Sequence, residues 1–230
     1  MEPETDLDVF RRTWERDRDG LAGRRYAEAL ADEGLLDEAL EVCERMWEDG
    51  YVAGRTDAAW LEHDRGRITT AIALMTSAID VLDDEDRPLA TGIVGHWRWH
   101  HRADRAAEPL LRAGMDAYPT ARVDLASLLV VLGRRAEGVR LLADGAAAGQ
   151  VVCMLPLANL LDEDGDVERA IALYERAFAD GDGFAAWNLA LVLERLGRRE
   201  ESAEWRWRAA RAGDEIAIRA LTEEDDDLAV

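Results

Sequence analysis

The stretch LANLLDEDGDVERAIALYERAFADGDGFAAWNLALVLERLG, Leu157 to Gly197, carries its own ruler. Against ALVLERLGRREESAEWRWRAARAGD, which starts at Ala190, Ala158 falls on Ala190, Gly165 on Gly197, Ala177 on Ala209, Gly181 on Gly213 and Asp182 on Asp214. Each offset is 32 residues. The same step backwards reaches Ala126, Gly133 and Gly149, and near the N-terminus Ala27, Gly34 and Ala39 map onto Ala59, Gly66 and Ala71. A fixed period of this length is the signature of a stacked repeat. Gly66 and Gly133 lie 67 residues apart, which leaves room for one further unit lengthened by three residues. The acidic DDEDRP, Asp83–Pro88, is the natural place for that insertion, and the missing turn then falls near His101.

Each unit reads as two helices. The first has apolar residues at helical spacing, as in Leu157, Leu160 and Leu161, and stops at a glycine able to take the left-handed conformation of a helix end. Small residues recur in the first helix (Ala27, Ala59, Ala126, Ala158, Ala190, with Val94 the exception) and near the start of the second (Ala39, Ala71, Ala106, Gly138, Ala170, Ser202). Chance alanines in an alanine-rich chain would not share the phase of the glycines. Leu7, Phe10 and Trp14 mark an N-terminal capping helix and residues 214–222 a C-terminal one, because exposed solenoid ends need covering. The acidic EEDDDLAV that follows is expected to be disordered.

These residues resemble the tetratricopeptide and Sel1-like repeat families over roughly 21–215, most closely in the stretch quoted first. The resemblance implies an all-α, right-handed solenoid of about six antiparallel helix pairs with capping helices, and a concave groove lined by the first helix of each pair. The divisions expected are 1–20 cap, 21–213 solenoid and 214–230 cap and tail. The period is shorter than the usual 34 or so residues of tetratricopeptides. The third unit lacks its turn glycine and carries Pro109 inside its second helix, where a hydrogen bond must be lost and a kink is expected.

The chain has 230 residues, a formal charge of −21 and no lysine. Such a surface repels phosphate backbones and anionic membranes, which argues against nucleic-acid or membrane binding. No apolar run approaches a membrane span, and the acidic N-terminus lacks the features of a signal peptide. Cys43 and Cys153 read as buried thiols of a cytoplasmic protein. The arginine-only, alanine-rich usage suggests a bacterial, GC-rich source.

One stretch runs against the acidity: GHWRWHHRAD, Gly95–Asp104, at the end of the third unit's first helix and its turn. His96 and His100 share a helix face at a spacing that could hold one metal ion, but His101 faces elsewhere and no cysteine is near. His63 contributes only if folding brings it close. No nucleophile elbow, zinc-protease, P-loop or dinucleotide fingerprint is present, so no catalytic residue, cofactor or metal is assigned.

The groove is better founded. Counting from the small packing positions places Arg24, Glu28, Ala31, Thr56, Trp60, His63, Thr91, Gly95 and Arg98 inward, with Trp99 beside them. In the later units the same count gives Val123, Ser127, Val130, Leu155, Asn159, Asp162, Trp187, Leu191 and Glu194. Tryptophan and arginine are favoured anchors at binding surfaces, although Trp97 falls on the packing side and Trp60 and Trp187 could also pack between repeats. The expected function is a non-enzymatic protein-interaction scaffold for a peptide or protein partner, a basic one by charge, with homo-oligomerisation left open. The alternatives are an inhibitor or immunity-type protein masking a basic surface, and an accessory subunit or metal-dependent enzyme component using the His96, His100 and His101 cluster. Arg98 and Trp99 are expected to contact a ligand, for which the acidic tail Glu223–Asp227 would compete.

Overall fold

The computed structural model of the protein describes the backbone of residues 5–228 and the side chains of residues 5–222. The described residues form α-helices and short 3-10 turns, with no strand among them. The chain divides into two compact units, 1–118 and 119–230. The first holds α1 (Asp6–Asp17), α2 (Gly20–Asp32), α3 (Leu36–Glu48), α4 (Ala53–Asp64), α5 (Ile68–Ile79), α6 (Arg87–Arg102) and α7 (Glu108–Gly114). The second holds α8 (Pro119–Val131), α9 (Arg135–Ala147), α10 (Met154–Glu163), α11 (Val167–Ala179), α12 (Phe184–Arg195), α13 (Arg199–Arg211) and α14 (Glu215–Leu228). Pairs α2/α3 through α12/α13 are the six repeats, and α1 and α14 are the caps.

The turn inside five of the six pairs is the same hydrogen-bonded device. Gly165 has φ +82°, its N–H donates to the Asp162 carbonyl at 3.0 Å, and the Asp166 N–H reaches back to the Leu161 carbonyl at 2.9 Å. That arrangement satisfies helix-end carbonyls and needs a left-handed residue. Gly34, Gly66, Gly133 and Gly197 repeat it with φ between +74° and +77°. The inward small residues then meet at the helix crossing. Ala27, Ala59, Ala126, Ala158 and Ala190 are buried, as are Ala39, Ala71, Gly138, Ala170 and Ser202. The Ser202 hydroxyl donates to the Ala190 carbonyl at 2.8 Å, and a methyl at Gly138 would lie 3.0 Å from the Ala126 carbonyl.

The third pair departs from the expectations. Its turn residue is Ala103, left-handed at φ +49°, two residues beyond His101, because α6 is longer than every other first helix. The small buried residue after the turn is Ala107, not Ala106, which is exposed. Pro109 does not kink a helix. Residues Arg105–Ala107 form a 3-10 turn and α7 starts at Glu108, so Pro109 sits in the first turn, where its absent N–H has no partner to lose.

The caps form as expected. Trp14 is 1% exposed, packed where α2 and α3 cross, and Ala217 of α14 is buried against Ala186 and Ala209. Helix α14 continues past the expected boundary at Thr222 to Leu228, while residues 229–230 and the tail side chains lie outside the described residues. Burial pushes the Cys43 thiol from its usual 9.0 to about 12 and raises that of Cys153.

Two outcomes follow from the backbone and the thiols. Gly66→Ala meets no atom within 4 Å, so it should cost only the backbone strain of about 1–2 kcal/mol, whereas Gly54→Ala puts a methyl 2.3 Å from the Cys43 carbonyl and should lower the thermal midpoint further. Ala103→Gly should raise the midpoint, since it relieves a left-handed alanine. Because the Cys43 thiol titrates higher folded than unfolded, its contribution is intact below pH 9 and is lost as pH rises toward 12. Alkaline denaturation should therefore weaken in Cys43→Ala relative to its own stability at pH 7.

Candidate functional site

Helices α2 and α4, the first members of two successive pairs, pack against each other and leave a groove of about 550 Å³ between them. Glu28 and Arg24 line it from α2 and Trp60 from α4. Four carboxylates line it, Glu28, Asp32, Asp57 and Asp64, against the two guanidiniums of Arg24 and Arg25. Arg24 Nε donates to Asp57 Oδ2 at 2.9 Å, while Glu28 and Asp32 have no ion-pair partner among the described residues. Burial raises the Asp57 carboxyl above its usual 3.8, and Arg24 offsets part of that rise. A second hollow of about 400 Å³ shares Arg24, Asp57 and Trp60 but is otherwise largely apolar, with Met75, Leu82, Leu89 and Ile93 in its wall. Trp60 is 39% exposed and lines both.

The repeat count missed Asp32, Asp57 and Asp64. Asp32 and Asp64 stand five residues after Ala27 and Ala59 and are themselves 32 apart, so the ruler already contained them. Asp57 could have been found only as the opposite charge to Arg24 on the neighbouring first helix.

The remaining expected residues of the first unit do different work. Trp97 is buried, with Trp60 edge-on to it at 5.0 Å between ring centroids. Arg98 donates to Asp104 at 2.6–2.8 Å, and this bond, with the Ala106 N–H, holds the Asp104 carboxyl below its usual range. Its guanidinium thus closes the Ala103 turn. Trp99 is half-buried beside it. His63 is not isolated: its ring stacks on Trp97 at 4.8 Å and its Nε2 lies 3.2 Å from His101 Nε2. His96 and His100 stack on each other at 5.3 Å, and among the described residues no group of three or more histidine, cysteine or acidic side chains converges as a metal site. Burial, with the charges of His100, His63 and His96, lowers the His101 pKa. The competing tail, Glu223–Asp227, has its side chains outside the described residues.

In the second unit the expected groove residues are tied to one another. Asn159 Oδ1 accepts from the Tyr174 hydroxyl at 2.7 Å and from Asn188 Nδ2 at 3.4 Å. Asp162 pairs with Arg195, Glu194 with Arg206, and the Arg206 guanidinium lies 5.9 Å from the Trp187 ring centre. Burial, then Asp162, pushes the Tyr174 hydroxyl up to about 12. Tyr174→Phe deletes a buried donor and should cost about 1 kcal/mol in denaturant unfolding, with the helical content retained.

No protein-family model matches the sequence, and no curated protein matches it. Solved structures do match. A Sel1 repeat protein from Oxalobacter formigenes is 21% identical, with 85% of this chain and 86% of that one covered at a TM-score of 0.63. PilF of Pseudomonas aeruginosa is 13% identical over 96% of this chain and all of its own, with a TM-score of 0.66. The c5321 protein of uropathogenic Escherichia coli, described as a protective antigen with an SLR fold, is 14% identical over 94% of this chain and 51% of its own, with a TM-score of 0.64. At these identities the likeness concerns architecture, and together with the helix pairs, turns and caps it establishes that this chain has the tetratricopeptide and Sel1-like repeat fold.

Proposed function

We infer that this chain is a non-enzymatic adaptor that binds a segment of a partner protein in the groove of α2, α4 and α6, and that the segment carries cationic and aliphatic side chains in alternation. The observation that carries this reading is the pair of hollows that share Trp60, one lined by carboxylates in excess of arginines and the other largely apolar. Glu28 and Asp32 offer charge that the protein itself does not neutralise, which suits arginine or lysine on the partner. The exposed Trp60 shared by the hollows is the anchor, since central tryptophans dominate binding energy at such surfaces. Repeat proteins that share this fold support an interaction role in general. No described helix is long and apolar enough to cross a membrane.

The test uses a labelled ten-residue peptide alternating arginine and leucine, with a glutamate–leucine peptide as control. The arginine peptide should bind the full chain and lose about tenfold or more in affinity with Glu28→Gln plus Asp32→Asn, and again with Trp60→Ala. Raising salt from 0.1 to 1 M shortens the Debye length from about 10 to about 3 Å and should weaken it further. A bound cation favours ionised Asp57, whose pKa burial has raised, so affinity should fall as pH drops through the carboxylate range. Equal binding of the glutamate peptide sinks the reading.

A further inference from the structure

All four histidines of the chain, His63, His96, His100 and His101, gather at the C-terminal ends of α4 and α6. The juxtaposition is a product of the lengthened third repeat. Helix α6 has 16 residues against 12 in α4, and its final turn carries His101 alongside His63, 38 positions earlier. Within this cluster one contact stands apart: the Nε2 atoms of His63 and His101 point at each other at 3.2 Å. Two nitrogens each about 2.0–2.1 Å from a tetrahedral zinc ion lie roughly 3.3 Å apart, so the pair already has the separation of two ligands on one ion.

The surroundings fix the donor atom. His63 Nδ1 lies 3.2 Å from Asp64 Oδ1, and a carboxylate only accepts, so Nδ1 carries the proton and Nε2 presents its lone pair to His101. A carboxylate holding the far nitrogen of a ligating histidine is the usual outer support of a metal site. The ring itself is held by Trp97, stacked at 4.8 Å, and by Trp60, edge-on at 5.7 Å. His101 needs only its Nδ1–H tautomer to offer Nε2 in the same way.

We propose that His63 and His101 form a binding site for a divalent transition-metal ion of the zinc or nickel type, oriented by Asp64 and bridging the second and third repeats. Because no third histidine, cysteine or acidic group converges there among the described residues, water fills the remaining positions. The two ligands are not peptide anchors; Asp64 also lines the peptide groove and Trp60 also touches the His63 ring, but the proposal does not depend on the adaptor reading.

Calorimetry of the metal-stripped full chain with zinc chloride and with nickel chloride tests it. One ion per chain should bind, and saturating metal should raise the thermal midpoint, because a ligand that holds only the folded state stabilises it. His63→Gln and His101→Gln should each lose at least about tenfold in affinity together with the thermal shift, and Asp64→Asn should lose on the order of tenfold. His96→Gln and His100→Gln should bind as the wild type does, and circular dichroism should confirm that every variant is folded. The proposal is overturned if the wild type takes up no metal, which leaves the pair as a simple N–H···N hydrogen bond, or if binding is lost in His96→Gln and His100→Gln while His63→Gln retains it.

Discussion

In five of the six pairs the structure rests on two helices touching where neither has a side chain larger than that of serine. At Ala190 and Ser202 the contact is a hydrogen bond from side chain to backbone, and at Ala126 and Gly138 it is near van der Waals contact between main chains. A left-handed glycine lies between the partners and reverses the chain within a few residues. Because the crossing point and the turn are fixed together, the length of one unit is fixed as well, and the period of 32 residues is its result. Where the chain comes closest, at Gly92 against Gly114 and at Gly54 against the Cys43 carbonyl, even a methyl does not fit.

Stacking pairs in this way sets first helices against first helices, and the binding chemistry depends on what those helices carry. In the first unit the hollow between α2 and α4 collects more carboxylate than guanidinium, and Glu28 and Asp32 have no ion-pair partner among the described residues. In the second unit the corresponding positions find partners within the protein: Asp162 with Arg195, Glu194 with Arg206, Asn159 with Tyr174 and Asn188. The same backbone geometry therefore leaves carboxylates unpaired in one unit and ties side chains to one another in the other.

The third pair shows how a local change in length becomes a local change in chemistry. Extending α6 moves the left-handed turn from the expected place to Ala103, turns Arg98 toward Asp104, shortens the following helix and lets Pro109 occupy a harmless first turn. It also carries His101 up to His63. A patch that stands out by composition as basic and aromatic thus becomes, in the fold, an ion-paired turn beside a histidine pair.

Outside the third repeat, the helix pairs, their turns and the small packing positions were legible in the sequence, as were both caps, because the repeated features are local requirements of backbone geometry. The count placed Arg24, Glu28 and Trp60 inward; these three line one hollow together with Asp32 and Asp64, which the same count could have included. What the sequence did not determine depended on pairs of residues in different helices. Whether Arg98 would stay available or close its own turn, whether Asp57 would meet Arg24, and whether His63 and His101 would face each other were decided only when neighbouring repeats packed. A periodic sequence specifies positions along each helix, but which side chain faces which across a crossing depends on helix lengths and turn registers that vary by single residues.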